Sequence, residues 1–154
     1  MSPAEGGPAA RRQAPGRAAF ALFRPIGLRW HDNDVYGHVN NVVYYGLFDT
    51  LVNAWLCERG LLEVQRSPVI GLVVSSSCDY FASVAFPQRL EGGLRAERIG
   101  TSSITYGIGI FAEGAATAAA AGRFTHVMVD AATHRPVPIP EAHRAALQEL
   151  TPEG

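Results

Sequence analysis

Apolar and polar residues follow two different periods along this chain. Between Val42 and Cys57, large apolar residues recur every three or four positions, a spacing that predicts an α-helix. Polar residues interrupt them along one narrow stripe only, which predicts a helix buried on most of its sides. Asn40 or Asn41 is expected to cap its N-terminus, and Gly60 is expected to end it.

The remaining regular segments predict strands and one more helix. A first strand is expected from Leu22 to Trp30, ahead of a polar turn and the long helix. Four more strands are expected after the helix, at Val69 to Phe81, Gln88 to Ile99, Ser102 to Phe111 and Thr117 to Val129. In the last of these, the run of alanines favours helix by propensity, while the alternation from Phe124 to Val129 favours a strand. A short helix from Glu141 to Leu150 closes the chain.

This order of elements predicts an α+β domain. Successive strands with short connections imply an antiparallel sheet, whose inner face must cover the apolar helix. One helix cannot cover five strands, so we expect an edge or a face of the sheet to pair with a second copy of the chain.

Composition narrows the class of protein. The chain has 154 residues, with 13 Lys+Arg against 14 Asp+Glu and a net charge of −1. This length fits one domain, and the balanced charge lacks the basic footprint of a nucleic-acid-binding protein. Cys57 and Cys78 are too few for a disulfide framework or a thiolate metal site. We therefore expect a cytoplasmic protein without a membrane span.

The N-terminal end differs from the rest in composition. Residues 1–20 are rich in Ala, Gly, Pro and Arg and carry little apolar bulk, which predicts a disordered tail before a single domain over residues 21–151. A targeting peptide is the alternative. The apolar run from Ala18 to Phe23 is too short for a secretory signal, so the tail is favoured.

The segment from Trp30 to Asn41 concentrates the polar chemistry. Asp34 lies just before the helix N-terminus, where unpaired backbone N–H groups carry partial positive charge. Such a place polarises a carbonyl oxygen, and a carboxylate beside it can attack the carbonyl carbon or activate a water. Gly37 would allow the backbone to approach a substrate closely.

The motif Asp-x-Asp-x-x-Gly-His-Val-Asn-Asn at residues 32–41, followed by Val-Val-Tyr-Tyr and an apolar helix, carries a resemblance. It is similar to the 4-hydroxybenzoyl-CoA thioesterase type of hotdog-fold acyl-CoA thioesterase, and the similarity extends from Leu22 to Leu150. The resemblance implies an antiparallel five-stranded sheet wrapped around a long central helix. It also implies a homodimer or homotetramer whose active site lies at the shared interface.

The same resemblance assigns roles to individual residues. It implies that Asp34 is the nucleophile or general base for hydrolysis of an acyl-CoA. Gly37 and His38 are catalytic candidates in the same loop, although His38 and Asn40-Asn41 stand where the 4-hydroxybenzoyl-CoA enzyme has apolar and aromatic residues. The N–H near Asn41 would polarise the thioester carbonyl. The resemblance also implies that Thr101, Ser102 and Ser103 lie where the partner subunit meets the CoA moiety. Arg98 is a candidate phosphate contact there, because a guanidinium forms charged hydrogen bonds to phosphate. Tyr44 is a candidate contact for the acyl group. No metal or other cofactor is expected, since CoA is part of the substrate.

Several alternatives stay open at this point. His38 shuttles a proton or only holds the loop, and Tyr44 shapes an acyl pocket or belongs to the core. A metal site at His31, Asp32, Asp34 and His38 is a weaker hypothesis. The protein as a whole is a thioesterase acting on acyl-CoA, or on an acyl carrier protein, or a non-catalytic binder of either one. The length and type of the acyl group stay open.

Overall fold

The computed structural model describes residues 12–152, which form one antiparallel sheet wrapped around a helix. The strands are β1 (Leu22–Ile26), β2 (Val69–Tyr80), β3 (Leu90–Ile99), β4 (Ser103–Ala112) and β5 (Ala120–Asp130). The helices are α1 (Val43–Glu58) and α2 (Glu141–Leu147). The spatial order β1-β3-β4-β5-β2 leaves β1 and β2 at the edges. This confirms the expected α+β architecture and the hotdog fold.

The central helix α1 supplies the core. Phe48, Val52 and Trp55 are fully buried against the inner face of the sheet. The face that meets them is built from alternating apolar residues, of which Ile108 and Ile110 of β4 have no exposed surface. The helical period on one side and the strand period on the other thus bury the same interface, as the sequence predicts.

Two glycines of the sheet determine how closely α1 approaches it. A Cβ on Gly92 would come within 2.4 Å of Leu51, and a Cβ on Gly122 would come within 2.3 Å of both the Phe48 ring and the Ser77 carbonyl oxygen. Real side chains do not tolerate such distances. The helix therefore rests on backbone at these two places, and its height above the sheet follows from the absence of side chains there.

The ends of α1 differ slightly from the prediction. Gly60 ends the helix with a positive φ of 70°, as expected. The N-cap position is Val42, so the prediction of Asn40 or Asn41 at that position is wrong. The Asn40 carbonyl accepts the Val43 N–H instead, and the Asn40 side chain accepts the Val42 N–H at 3.0 Å. Asn40 thus holds the helix start from outside it.

The first strand is shorter than predicted. It ends at Ile26, and the chain then turns through a short 3-10 segment at Trp30–Asp32. Trp30 is 80% exposed, so its side chain does not extend the buried pattern of β1.

The prediction of a disordered tail fails for residues 12–20; residues 1–11 lie outside the described residues. Gly16 forms a β-bridge with Thr117, and the Arg17 guanidinium donates to the Ala115 carbonyl at 2.7 Å. Phe20 is buried on the outer face of the sheet, because the ring occupies space left by glycines. These are Gly93 and Gly109, where a Cβ would come within 2.7 and 2.6 Å of the ring. The composition of residues 1–20 as a whole does not show that one aromatic residue, Phe20, fits a recess formed by two glycines of the sheet.

The alanine run and the C-terminal segment resolve as strand and helix, respectively. β5 begins at Ala120, which is fully buried and pairs with Tyr80, so sheet pairing overrides the helix propensity of the alanines. Helix α2 and a 3-10 turn that ends at Leu150 close the core, as predicted. Among the described residues, no helix has the length and hydropathy needed to cross a membrane.

A pair of Gly→Ala substitutions tests this packing. Gly122→Ala is expected to lower the free energy of unfolding by about 2 kcal/mol or more, because the added methyl group meets Phe48 and backbone. Gly46→Ala, the same change where nothing lies within 4 Å in α1, is expected to raise it by up to about 1 kcal/mol through helix propensity. Urea unfolding measures both. Equal effects at the two positions would contradict the packing described.

Candidate active site

The polar segment forms a compact loop between the 3-10 turn and α1. Asn33 and Val39 pair in an antiparallel bridge, and the Asp34 N–H donates to the His38 carbonyl at 2.8 Å. The turn between them closes through Gly37, whose N–H donates to the Asp34 carbonyl and whose φ of 79° suits glycine. The motif therefore specifies a loop in which Asp34 and His38 lie next to each other.

Asp32 fixes the base of this loop. Its carboxylate is buried and accepts hydrogen bonds from the Arg29 N–H at 2.7 Å and from the Arg29 guanidinium at 3.1 Å. Its carbonyl accepts the Asn40 N–H. Burial by itself would raise the pKa of Asp32, but the Arg29 hydrogen bonds and the positive charges of Arg29 and His31 outweigh it and lower that pKa. Asp32 is therefore a structural anion at neutral pH.

A second anchor joins the loop to the segment after β2. The Asn33 side-chain oxygen accepts the Phe86 N–H at 2.9 Å, and the Asn33 amide donates to the Phe86 carbonyl. The Val39 N–H donates to the Val84 carbonyl at 2.8 Å. With these contacts on one side and Asp32 on the other, the loop has a defined orientation in the folded chain.

Asp34 itself is only partly committed to the loop. Its Oδ1 accepts the Tyr36 N–H at 2.9 Å, which fixes the orientation of the carboxylate. Within residues 12–152, Oδ2 accepts no hydrogen bond, and the side chain is half-exposed. One oxygen is thus held in place while the other is available for chemistry.

The N-terminus of α1 faces the same region. The Asn41 N–H donates to no acceptor among the described residues, and it lies just before the first turn of α1, where the helix dipole is positive. The Asn41 carbonyl accepts a hydrogen bond from the Tyr80 hydroxyl at 2.9 Å. Tyr80 thereby fixes the peptide next to the free N–H. The sequence analysis did not identify Tyr80 as a residue of this region. Its place at the end of β2, facing the helix start, is visible only once the strands are paired.

These groups share one open groove of about 640 Å³. It contains four of the residues predicted to form the site, namely Asp34, His38, Asn41 and Tyr44. The other residues that line it come from the loop and from the end of β2 and the segment after it: Tyr36, Val39, Asn40, Tyr80, Phe81, Ala82 and Ser83. The structure therefore brings these four residues together around one groove, and their roles in an active site stay a prediction.

The wall of the groove contains neutral groups. The Tyr44 ring packs edge-on against Tyr80 at 5.1 Å, and burial raises the pKa of both phenols, so both stay protonated. Tyr44 is buried in the core and also lines the groove, while its role in shaping an acyl pocket stays a prediction. Burial likewise raises the pKa of the Cys78 thiol, which removes it as a thiolate nucleophile.

The remaining predicted contacts lie elsewhere in the chain. Arg98, Thr101, Ser102 and Ser103 are at the β3–β4 turn. Ser103 pairs with Val127 of β5, and Tyr80 pairs with Ala120 of the same strand. Val127 and Ala120 are about 24 Å apart along β5. One chain therefore does not bring this turn to the Asp34 groove.

The described residues contain no group of three or more His, Cys, Asp and Glu side chains placed to hold a metal ion. The arrangement that they do form is a carboxylate with one free oxygen beside an unpaired backbone donor at a helix start. Such a pair suits nucleophilic attack at a carbonyl whose oxygen needs stabilisation.

Comparison with known proteins places the chain in a family. A sequence model of the thioesterase-like superfamily matches residues 28–147, which span the loop, α1 and the whole of the sheet after β1. The chain belongs to the thioesterase-like superfamily. The expected resemblance to hotdog thioesterases is thus confirmed, and the family supports a thioester hydrolase.

Solved structures agree with this assignment. The protein PA5185 from Pseudomonas aeruginosa strain PAO1 is 58% identical, with a TM-score of 0.88 over 91% of this chain and 98% of that chain. Slr0204, a 1,4-dihydroxy-2-naphthoyl-CoA thioesterase from Synechocystis, is 18% identical, with a TM-score of 0.73 over 82% and 94% of the two chains. At that identity the second similarity shows the fold alone.

A curated relative is also similar in sequence. The uncharacterised protein YsmA of Bacillus subtilis (strain 168) is 24% identical over 89 residues. The match covers 58% of this chain and spans 60% of the length of YsmA.

The anchor role of Asp32 generates a prediction with a defined pH dependence. Asp32→Asn is expected to lower the free energy of unfolding by about 1–3 kcal/mol at neutral pH, because it removes a buried, charge-assisted pair with Arg29. The folded-state pKa of Asp32 is lowered, so its contribution is present above the ordinary Asp pKa and is lost as the pH falls through the folded value.

The stability difference between the wild type and Asp32→Asn should therefore narrow below about pH 4. Urea unfolding at neutral and acidic pH measures it. Glu63→Gln, at an exposed carboxylate in the α1–β2 loop, serves as a control expected to change stability little. A difference that is constant with pH would contradict the ionised anchor.

Proposed function

We propose that this protein is an acyl-CoA thioesterase that hydrolyses an acyl-CoA to a free carboxylic acid and CoA, with Asp34 as the catalytic carboxylate. The observation that supports this most directly is that the Asp34 carboxylate and the Asn41 N–H, which donates to no acceptor among the described residues, lie in one groove. A family of thioester hydrolases and a groove with these two groups are consistent with the same reaction.

In the proposed reaction the thioester carbonyl oxygen accepts a hydrogen bond from the Asn41 N–H. The helix dipole of α1 stabilises the negative charge that develops on that oxygen. Asp34 either attacks the carbonyl carbon, forming an anhydride that water then hydrolyses, or removes a proton from a water that attacks directly. In both routes the C–S bond breaks, the CoA thiolate leaves and is protonated, and one water is consumed.

The other residues of the groove position these two groups. Tyr80 holds the peptide of Asn41, and Gly37 keeps the turn beside Asp34 open to substrate. The exposed His38 imidazole lines the groove, where it is a candidate proton acceptor or donor for the leaving thiol. Neutral Tyr44 and Tyr80 offer ring surface to the acyl group.

We further propose that the working unit is a homodimer, or a tetramer built from dimers, and that the active site is shared. Within residues 12–152 the edge strand β2 pairs on one side only, with β5, and it exposes Val73 and Val74 at 46% and 61%. Its last residue, Tyr80, lines the Asp34 groove, so a second copy paired along β2 would lie next to that groove.

A second copy also gives the β3–β4 turn a role. Within one chain the turn is remote from the groove, whereas a partner related by a two-fold axis can present its own Arg98 and hydroxyl groups to the CoA part of the substrate. An arginine at that place would pair with CoA phosphates. The hydroxyl residues are Thr101, Ser102 and Ser103.

The catalytic proposal is tested with Asp34→Asn. This change is expected to lower kcat for acyl-CoA hydrolysis by about 10²- to 10⁴-fold while leaving the unfolding free energy nearly unchanged, because Asn cannot act as nucleophile or base. Release of free thiol from short-chain, long-chain and aromatic acyl-CoAs measures it. Glu63→Gln, an exposed carboxylate-to-amide change outside the groove, is the control.

An Asp34→Asn protein with wild-type turnover would refute the proposed role. Binding of acyl-CoA without thiol release from any substrate would favour a non-catalytic binder instead. Release that is detected only with acyl carrier protein conjugates would reassign the substrate class.

The shared site is tested at the β2 edge. Val74→Lys is expected to convert the oligomer to monomer, since like charges would face each other across the two-fold axis. Loss of the shared site should then reduce kcat/KM by about tenfold or more. Val64→Lys, at a 68% exposed loop position, is the matched control. Light scattering after size exclusion gives the mass. A wild-type monomer with full activity would refute the shared site.

A further inference from the structure

A cavity of about 400 Å³ lies on the face of the sheet that points away from α1. A Cβ on Gly122 would meet the Phe48 ring of α1, so the next residue of β5, Arg123, points to the opposite, outer face. The N-terminal segment lies over this face and contributes Arg12 and Gln13 to the wall of the cavity. We call this cavity the outer pocket.

One row of residues across four strands forms the floor of the outer pocket. Ser77, Arg123, Gly107 and Arg95 are successive partners in the registers of β2, β5, β4 and β3, so they share the outer face. A Cβ on Gly107 would come within 2.6 Å of the Arg95 Nε and within 2.8 Å of the Glu97 Oε1. Gly107 thus leaves room over the sheet backbone for these two charged side chains.

Positive charge is in excess in the outer pocket. The Glu97 carboxylate accepts hydrogen bonds from the Arg95 Nη2 and from the Arg123 Nε, both at 2.6 Å. The Arg12 Nη1 pairs with the Asp79 carboxylate at 2.5 Å. Three guanidinium groups therefore line the pocket against two carboxylates, which leaves one positive charge without a counter-charge among the lining residues. This balance favours an anionic ligand.

Several hydrogen-bond donors of the pocket are not used inside the fold. Arg123 donates through Nε alone, so in the part of the chain that the structure describes its two Nη atoms bind no acceptor, and its side chain is 60% exposed. Arg12 donates through Nη1 alone, and the exposed Ser77 hydroxyl and Gln13 amide form no hydrogen bond with the described residues. Guanidinium forks with a hydroxyl and an amide beside them suit the oxygens of a phosphate group.

The outer pocket adjoins the Asp34 groove at the end of β2. Phe81, the residue after this strand, lines both cavities. Ser77 precedes Tyr80 by three residues, which is about 10 Å along the strand. A ligand with a phosphate at one end can therefore reach from the outer pocket past Phe81 into the groove. CoA has this form, because a pantetheine arm separates its thioester from its phosphates.

We propose that Arg123, Arg12 and Ser77 form a binding site in the outer pocket for a phosphate group of a phosphoester. Two sources share this chemistry, namely the phosphates of the CoA substrate and a separate nucleotide. The site itself does not depend on the proposed function, and only CoA as its source rests on that function. CoA carries a pyrophosphate and a ribose phosphate, so a contact here is compatible with one at the β3–β4 turn of a second copy.

Binding to arginine variants tests the proposal. Calorimetry measures the affinity of CoA, AMP and inorganic phosphate for the wild type and for each variant. Arg123→Gln is expected to weaken the binding of CoA, AMP or both by about tenfold or more, because it removes charged hydrogen bonds to phosphate. Arg123→Lys keeps the charge without the planar fork and should give an intermediate loss. Arg66→Gln, the same change at an exposed ion pair of the α1–β2 loop, should change each affinity by less than about twofold.

Steady-state kinetics distinguish the two sources of phosphate. Each acyl-CoA is compared with the acyl-pantetheine thioester of the same acyl group, which has no phosphate. If CoA is the source, Arg123→Gln should raise KM for the acyl-CoA by about fivefold or more and leave kcat unchanged, since the contact is made equally in the ground state and the transition state. KM for the acyl-pantetheine should not change. Weaker AMP binding in Arg123→Gln without a change in KM assigns the site to a separate nucleotide.

Failure of this inference is distinguishable from failure of the proposed function. Equal affinities of the wild type and a folded Arg123→Gln for CoA and for AMP would overturn the site, and Arg123→Lys provides the same test if Arg123→Gln does not fold. Binding of inorganic phosphate as tight as that of both phosphoesters would indicate an adventitious ion only and would also overturn it. Phosphoester binding that depends on Arg123 in a protein that hydrolyses no thioester supports the site and refutes the thioesterase.

Discussion

The close approach of α1 to Gly92 and Gly122 is the constraint on which the rest of this structure depends. With no side chain at these two positions, the helix lies directly on the sheet backbone, and Leu51 and Phe48 fill the space above it. This contact fixes the height and tilt of α1. The N-terminus of the helix then lies at a defined place beside the end of β2, and the loop that precedes it has to span a set distance back to β1.

The loop before α1 is held in place by buried polar contacts rather than by apolar packing. Asp32 and Asn33 each tie it to backbone, one through Arg29 and Asn40 and the other through Phe86. Because their hydrogen-bonding groups are used inside the fold, neither residue is free to react. Asp34 is the next residue and keeps one oxygen free, so the motif divides its polar residues between holding the loop and facing the groove.

Most of the fold was predictable from local patterns. The period of α1, the alternation in β4 and the turn at Gly60 each reflect a cause that acts within a few residues. The buried Phe20 was not predictable, because its recess consists of glycines from two distant strands. For the site, Asp34 and Asn41 were recognisable in one short motif. Tyr80 was not, since it reaches Asn41 only through strand pairing 39 residues away along the chain.

The separation between the groove and the β3–β4 turn is the observation behind the proposal of a site shared by two copies. Both regions carry groups suited to one ligand, a carboxylate with a free backbone donor at one end and Arg98 with hydroxyl groups at the other. The sheet that supports them is rigid and holds them about 24 Å apart. Bending within a chain cannot close that distance without breaking the pairing of β4 with β5. A two-fold axis beside β2 would close it without deformation, because it pairs each groove with the opposite turn of a second copy.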